Sequence, residues 1–336
     1  MDFLNKDFAV LLNDNARKVS SKVMRKVADI IPKTHLYYTR TVDEATVVLE
    51  DLVKKRVQTL FCGGGDGTLV HMLSNLKKII DDLSHRDHII YNPPKIVPLK
   101  LGTGNGMAGF LGIKKGLEPL WNYISAARAR LTRFNLIEFE DKVCHFAGLG
   151  WDAAILNDYI LFKQKFSMGL AKHWMNGLGG YLTSLFFKTV PEQVLRRNRP
   201  SLKVLTEGPV YEISTNKPPK LIEPPNGILY EGPCNVAGVA TVPEYGFRLK
   251  AFPFARTKEG FMNLRIVKAG VLELLVNWRP IWMGKWESNN LKDYLAQKVE
   301  MVFDRPMPLQ IGGDALGYMD RVNFAVSGFS VDVIAP

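Results

Sequence analysis

Cysteine is scarce in this chain. Cys62, Cys144 and Cys234 are odd in number and far apart, which excludes a disulfide framework and a thiolate zinc site and fits a reducing compartment. There is no uninterrupted apolar segment long enough to span a bilayer. The opening residues, Met1-Asp2-Phe3-Leu4-Asn5-Lys6-Asp7, carry early acids and no apolar signal core. A cytoplasmic protein, at most peripheral to a membrane, is the resulting expectation. Low-complexity tracts and internal repeats are also missing, and 46% hydrophobic with 23% charged residues is the balance of a folded chain. The net charge of +11 is spread thinly, with no basic run longer than Lys54-Lys55-Arg56. Such a diffuse field argues against nucleic acid as a partner and suits anionic ligands or an anionic membrane surface.

What the chain does have is glycine in a telling place. In Phe61-Cys62-Gly63-Gly64-Gly65-Asp66-Gly67-Thr68, one carboxylate sits in a backbone almost free of side chains. Val57, Leu60, Phe61 and Cys62 read as a buried strand, and Leu69, Val70, Met72, Leu73 and Leu76 fall at helical spacing, so the glycines form a strand-to-helix turn. Glycine lets a ligand approach the backbone, and N–H groups at a helix start attract anions. No Gly-Lys-Ser/Thr follows, so the loop is not a Walker A motif, and it lacks the dinucleotide Gly-x-Gly-x-x-Gly spacing. A carboxylate beside phosphates makes sense if it meets Mg²⁺ or takes a proton from an attacking hydroxyl. The plainer reading is a glycine-rich hairpin in which Asp66 is a turn residue.

Before this loop the pattern is strand (residues 8–12), helix (19–30), strand (35–39) and helix (43–52). After it come a helix (69–83), a strand (96–99) and a helical stretch (117–129). That alternation predicts a doubly wound α/β domain over residues 1–131. A second glycine loop, Gly102-Thr103-Gly104-Asn105-Gly106, follows the strand at 96–99, so both loops open at the carboxyl edge of the sheet, where ligands bind in such folds. From 132 to 336 the runs shorten into strands, which predicts a β-sandwich domain whose last segment returns to the first domain. Residues 162–190 read as an amphipathic helical stretch broken at 177–180, and the Pro-rich stretch 216–226 as a linker or surface loop.

With both loops in view, the sequence resembles the diacylglycerol kinase catalytic-domain family, which includes soluble bacterial diacylglycerol kinases, sphingosine kinases and ceramide kinases. The motifs run in order: Asn13-Asp14-Asn15-Ala16-Arg17, Thr39, Gly64 to Thr68, Pro98 through Asn105 with Lys100-Leu101 as two extra residues, Gly150-Trp151-Asp152-Ala153, Gly180-Tyr181, then Pro253, Ala255 and Gly260, and finally Gly312-Gly313-Asp314. The resemblance implies a nucleotide-binding α/β domain, a β-sandwich domain and an active site in the cleft between them. ATP with Mg²⁺ would be the phosphoryl donor and a lipid hydroxyl the acceptor, diacylglycerol-like or sphingoid-base-like. It also implies that Asn13, Arg17, Thr39, Gly63, Gly64, Gly65, Asp66, Gly67, Thr68, Gly102 and Thr103 hold the nucleotide. Asp66 would act at the γ-phosphate through Mg²⁺, with or without water between, or directly. Asp314 would stand at the family's proton acceptor, and Asp152 would line the acceptor pocket. Phosphoryl transfer needs chiefly alignment and charge neutralisation, so no covalent nucleophile is required.

Several positions depart from the family. Asp314 is one methylene shorter than its Glu, Gly312 replaces its preceding Asp, Val70-His71 replaces Asn-Glu, and Phe254 and Lys258-Glu259 stand where acids of an accessory metal site are found, so that site is expected to be missing. Asp152 also fits as a helix cap. His71 and His145 have no partner motif nearby and read as structural. Two other functions stay open: an NAD kinase, which uses a related GGDGT loop, and a nucleotide- or lipid-binding protein with impaired catalysis. Trp278, Trp282 and Trp286 recur every four residues beside Arg279 and Lys285. They suit either a bilayer interface or a second-domain core, and Pro280 and Gly284 favour the core.

Overall fold

Alternating apolar and polar stretches in the first 130 residues build a parallel sheet. The computed structural model describes residues 7–16, 19–102, 105–114, 116–125, 129–151, 153–154, 199–246 and 248–335. It divides into two compact units, Met1–Cys144 with Ser327–Pro336, and His145–Val326.

In the first unit, strands β1 (Phe8–Asn13), β2 (Leu36–Thr39), β3 (Thr59–Gly64) and β4 (Lys95–Lys100) pair in parallel, and Val333 on the final strand pairs with Ile96 of β4. The order β2-β1-β3-β4 and then the final strand reverses direction between β1 and β3. Helices α1 (Ser21–Ala28), α2 (Val42–Lys54), α3 (Asp66–Asp87), α4 (Gly106–Phe110) and α5 (Glu118–Ile124) make the connections. Phe8, Val10 and Leu12 of β1, Phe61 of β3 and Val97 and Leu99 of β4 share one core with Val27 of α1 and Leu120 of α5. Strand side chains two apart point to one face, which is why β1 contributes every second residue to this cluster. Ser20 caps α1 by accepting from Val23 N–H, and Thr41 caps α2 by accepting from Glu44 N–H at 3.1 Å. The Glu44 carboxylate reaches back to Arg40 N–H at 2.7 Å, which fixes the turn out of β2. Hairpin strands β5 (Arg130–Phe139) and β6 (Lys142–Cys144) complete this unit, with Ser74 Oγ of α3 donating to Val143 O and accepting from Val143 N–H.

The second unit is antiparallel. Its strands are β7 (Phe146–Gly150), β8 (Ser201–Glu207), β9 (Val210–Ser214), β10 (Lys217–Ile222), β11 (Ile228–Pro233), β12 (Val236–Ala240), β13 (Met262–Val267), β14 (Leu291–Ala296), β15 (Lys298–Ile311) and the first part of β16 (Asp314–Ala335). Two short helices, α6 (Val271–Val276) and α7 (Trp278–Trp282), lie between β13 and β14. The order runs β10-β9-β14-β13-β12-β7-β15. Residues 298–303 of β15 pair with β8, whereas 309–311 pair with β7. A register shift between Val302 and Met307, over exposed Asp304, Arg305 and Pro306, lets one strand serve both groups. The expected order of an α/β unit followed by a β-rich one is therefore what the chain adopts.

Details differ from expectation. The Pro-rich stretch is not a free loop, because its first part is β10 at the sheet edge. Pro218 and Pro219 fall within the register shift between Lys217 and Lys220, and an edge strand tolerates residues that cannot donate to a ladder. Of the helix expected at 117–129, α5 is the described part, and residues 126–128 lie outside the described residues. Two long strands, β15 and β16, occupy most of the last forty residues, where the sequence pattern suggested short runs. The helical stretch expected at 162–190 lies outside the described residues.

A buried ion pair ties β13 to β14. Arg265 donates twice to Asp293, Nε to Oδ1 and Nη2 to Oδ2, both at 2.9 Å, and Asn263 Nδ2 adds a bond to Oδ1 at 3.0 Å. The side chains are 10% and 4% exposed, so removing one partner leaves the other's charge or hydrogen bonds unmet. Asp293→Ala is expected to destabilise the second unit by about 3–5 kcal/mol, read from the urea midpoint of its tryptophan fluorescence. Arg265→Met with Asp293→Leu should recover most of that loss, and a single-variant cost under about 1 kcal/mol would refute the account.

Candidate active site

The carboxyl ends of β1, β2, β3 and β4 converge at one edge of the first unit, and the sheet order reverses between β1 and β3. Ligands of open α/β sheets bind outside such a switch point. Across it, Asn13 Nδ2 at the end of β1 donates to Thr68 Oγ1 in the first turn of α3 at 3.1 Å. The same asparagine shapes the loop that follows: its Oδ1 accepts Asn15 N–H at 2.9 Å and its carbonyl accepts Ala16 N–H at 2.9 Å. Asp14 N–H donates to Thr39 O, Asn15 Nδ2 to Arg40 O at 2.6 Å, and Arg40 Nε pairs with Asp14 Oδ2 at 2.8 Å. Thr39 is buried and registered opposite Asn13.

The two glycine turns touch through their backbones. A Cβ on Gly102 would overlap the Gly65 backbone, one on Gly63 would overlap Leu12, and one on Gly64 would overlap the side chain of Thr68. Leu101 N–H donates to Gly64 O at 3.2 Å, continuing the β3–β4 ladder past Lys100. The two residues that lengthen this loop relative to the family therefore have structural places. Lys100 pairs with Gly64, and Leu101 is buried beneath Gly63.

Asp66 links the turns electrostatically. It opens α3, with Gly65 as the N-cap in extended backbone, and both carboxylate oxygens accept Gly106 N–H, at 2.8 and 2.9 Å. Gly106 is the first residue of α4, so one carboxylate lies at two helix starts, where the unpaired N–H groups favour negative charge. The hairpin reading of the glycine run is excluded, since the run leaves a parallel strand and enters a 22-residue helix. Asn105 holds the second turn from within. It adopts a left-handed backbone at φ +57°, its Nδ2 donates to Gly102 O at 3.0 Å, and its Oδ1 accepts Gly102 N–H at 3.3 Å. Asn105 is a supporting residue that the sequence analysis placed only within the second glycine loop; an asparagine directly after Gly-x-Gly is the signal for a left-handed cap.

Cys62, immediately before the glycines, is buried, and desolvation pushes its thiol up to about 12. It stays protonated and cannot serve as a nucleophile at neutral pH. Val70 is packed in the core and His71 is on the surface, so neither residue of that departure lies among the side chains at the sheet edge.

Of the expected nucleotide residues, Asn13, Thr39, Gly63, Gly64, Gly65, Asp66, Gly67, Thr68 and Gly102 are thus gathered at one sheet edge. Arg17, Thr103 and Asp152 lie outside the described residues, as does Gly180-Tyr181. Gly150 ends β7 at φ +98° with the Asn235 carbonyl where a Cβ would go, which explains the glycine of that motif. Asp314 belongs to the second unit. It opens β16 opposite Ile311, with Gly312 and Gly313 as the two hairpin residues at φ +57° and +91°. Phe254 packs against Ile213, Phe261 and Leu295, and Lys258 places its ammonium 4.9 Å and 5.3 Å from the rings of Tyr211 and Phe261.

A Mg²⁺ ion bound with a nucleotide takes few protein ligands, commonly one or two carboxylates plus phosphates and water. Among the described residues no cluster of three or more His, Cys, Asp or Glu forms a metal cage. A single carboxylate at two helix starts fits the nucleotide-borne mode.

Residues 7–138 match the family model described as the diacylglycerol kinase catalytic domain. Three solved structures from Bacillus anthracis str. Sterne share the fold, two of proteins provisionally assigned as diacylglycerol kinases and one of a diacylglycerol kinase. The first is 13% identical, with a TM-score of 0.64 and coverage of 98% of this chain and 95% of that one. The second is 14% identical, at TM-score 0.62, covering 99% and 98%. The third is also 14% identical, at 0.60, covering 99% and 98%. No curated protein matches the chain.

Contact between the turns makes a sharp prediction. Gly102→Ala is expected to cost about 1–3 kcal/mol in stability, because its methyl meets backbone that cannot swing aside. Gly328→Ala, with open space around it, should stay within about 0.5 kcal/mol of the parent. Equal melting curves for the two variants would disprove the close approach.

Proposed function

From the premise that residues 7–138 belong to the diacylglycerol kinase catalytic-domain family, we propose that this protein transfers the γ-phosphate of ATP to the hydroxyl of a lipid alcohol, diacylglycerol-like or sphingoid-base-like. The observation that carries the reading is the arrangement at the sheet edge: two glycine turns in backbone contact at a topological switch point, with a carboxylate between two helix starts. Backbone N–H groups in that position bind phosphate oxygens without a steric barrier. Asn13 and Thr68 brace the crevice from both sides, and Thr39 anchors the loop after β1.

Asp66 has two tasks here. One lone pair on each oxygen receives Gly106 N–H, holding the second turn in register, and a carboxylate oxygen has a further lone pair with which to hold Mg²⁺. The ion, when bound with ATP, supplies charge neutralisation at the phosphates. Positioning and electrostatics then account for catalysis, in keeping with the absence of a reactive thiol at Cys62. Asp314 is the acceptor of the lipid hydroxyl proton in this proposal, held by the β15–β16 hairpin, and Asp152 contacts the acceptor. The NAD kinase alternative has no observation in its favour beyond the shared GGDGT sequence.

A radiolabelled transfer assay on a panel of lipid alcohols, with NAD alongside, tests the reading. Phosphorylation of at least one lipid alcohol and none of NAD is expected. Asp66→Asn, which keeps one oxygen for Gly106 N–H, should lose about 10²-fold or more in turnover with a parent-like melting temperature. Transfer to NAD alone, or undiminished turnover by Asp66→Asn, would overturn it.

A further inference from the structure

Helix α6 carries a single polar side chain. Five of its six residues are Val or Leu, and the sixth, Glu273, points back into the protein, where its carboxylate accepts Ser288 Oγ at 2.6 Å and Asn290 Nδ2 at 2.8 Å. Leu274 and Ile281 of the α6–α7 pair pack inward against Val267, Ala269 and Trp286. On the other side Leu272, Val276, Trp278 and Met283 stand 73%, 82%, 56% and 52% exposed. A helix without a polar face calls for a second apolar phase. The tryptophan triplet is split accordingly: Trp286 is core, Trp282 is half-buried and Trp278 is outside.

Cationic residues neighbour this apolar face. The Arg279 guanidinium lies 5.3 Å from the Trp278 ring, and Lys285 is exposed just past α7. Arg199 donates to Lys268 O beside the start of α6, and Lys250 N–H donates to Trp282 O at the end of α7. We propose that the α6–α7 surface docks on an anionic lipid bilayer, with Leu272, Val276, Trp278 and Met283 entering the headgroup boundary and Arg279 and Lys285 meeting lipid phosphates. Apolar side chains ringed by Lys and Arg, with an indole at the rim, are the chemistry of interfacial binding. A second copy of the chain fits less well, because a two-fold contact through this patch would bring its own cations face to face. No helix among the described residues is long and apolar enough to cross a membrane. The choice of a bilayer as partner rests on the lipid-kinase reading.

The test is co-sedimentation of the full chain with vesicles of phosphatidylcholine alone or mixed with phosphatidylserine. Binding is expected to the anionic vesicles and to weaken with salt, and brominated lipids should quench a fluorescence component lost in Trp278→Phe. Leu272→Asp with Val276→Asp should reduce vesicle affinity about tenfold or more at an unchanged melting temperature, since both side chains are already exposed. Turnover of a vesicle-embedded acceptor should fall in that variant, and turnover of a monomeric short-chain acceptor should not. Equal vesicle binding by variant and parent would reject the surface, as would a parent that dimerises through the patch and ignores vesicles. Should no lipid be phosphorylated while the variant still loses vesicle binding, the kinase reading fails and the surface stands.

Discussion

Gly102 lies against the backbone of Gly65, and the site depends on that contact. None of Gly63, Gly64 and Gly102 has a left-handed φ, so glycine is required at these positions for its missing Cβ, through the overlaps with Leu12, Thr68 and Gly65. With the turns this close, Asp66 reaches Gly106 N–H and Asn13 reaches Thr68. A side chain at Gly102 would separate the strand ends and break the carboxylate link together with the ladder bond from Leu101 to Gly64. Packing, hydrogen bonding and the openness of the crevice are therefore one constraint.

The electrostatics follow from that geometry. A carboxylate facing a polyphosphate would be repulsive alone, yet Asp66 begins α3 and accepts the first N–H of α4, so two helix starts offset its charge. The net charge of +11 adds a diffuse attraction for anions without any basic stripe. The same anion preference would serve the proposed phosphate ligand and, at Arg279 and Lys285, the proposed lipid surface. These are separate uses of charge: one is local and built from backbone dipoles, the other is long-ranged and sensitive to salt.

Much of the first unit was legible in the sequence because its signals are local. Every strand from β1 to β4 and helices α1 to α3 show in hydrophobic period, and the glycine run between Cys62 and Leu69 marks the turn between them. The family resemblance was legible for the same reason, as its strongest motifs are contiguous loops. What stayed hidden is decided at a distance. Nothing in Gly102-Thr103-Gly104-Asn105-Gly106 announces that Gly106 N–H meets a carboxylate forty positions earlier, or that Asn105 folds back on Gly102. The edge strand β10 was hidden by Pro218 and Pro219, which argue locally for a loop and are tolerated only because the sheet ends there. The tryptophan spacing was misleading in another way, since period four implies one shared face and the Trp278–Trp282 helix ends before Trp286.

The hairpin at Gly312 and Gly313 bears on whether catalysis is impaired. Its two residues take left-handed backbones between paired Ile311 and Asp314, as a tight two-residue turn demands, and glycine is the residue that accepts this without strain. Gly312 therefore suits this turn, although an Asp-Gly pair would suit it too, so the backbone alone does not account for the loss of the family's acid. The turn is also anchored, since Gly312 N–H donates to Phe146 O at 3.0 Å. A carboxylate one methylene shorter is then carried on a fixed hairpin, so its reach is set by the strand, and a productive position depends on where β16 starts more than on side-chain flexibility. Val70 and Phe254, the other departures, are packing residues in their own units. Gly312, Val70 and Phe254 thus each have a place in the fold, and the first glycine loop is unaltered from Gly63 to Thr68.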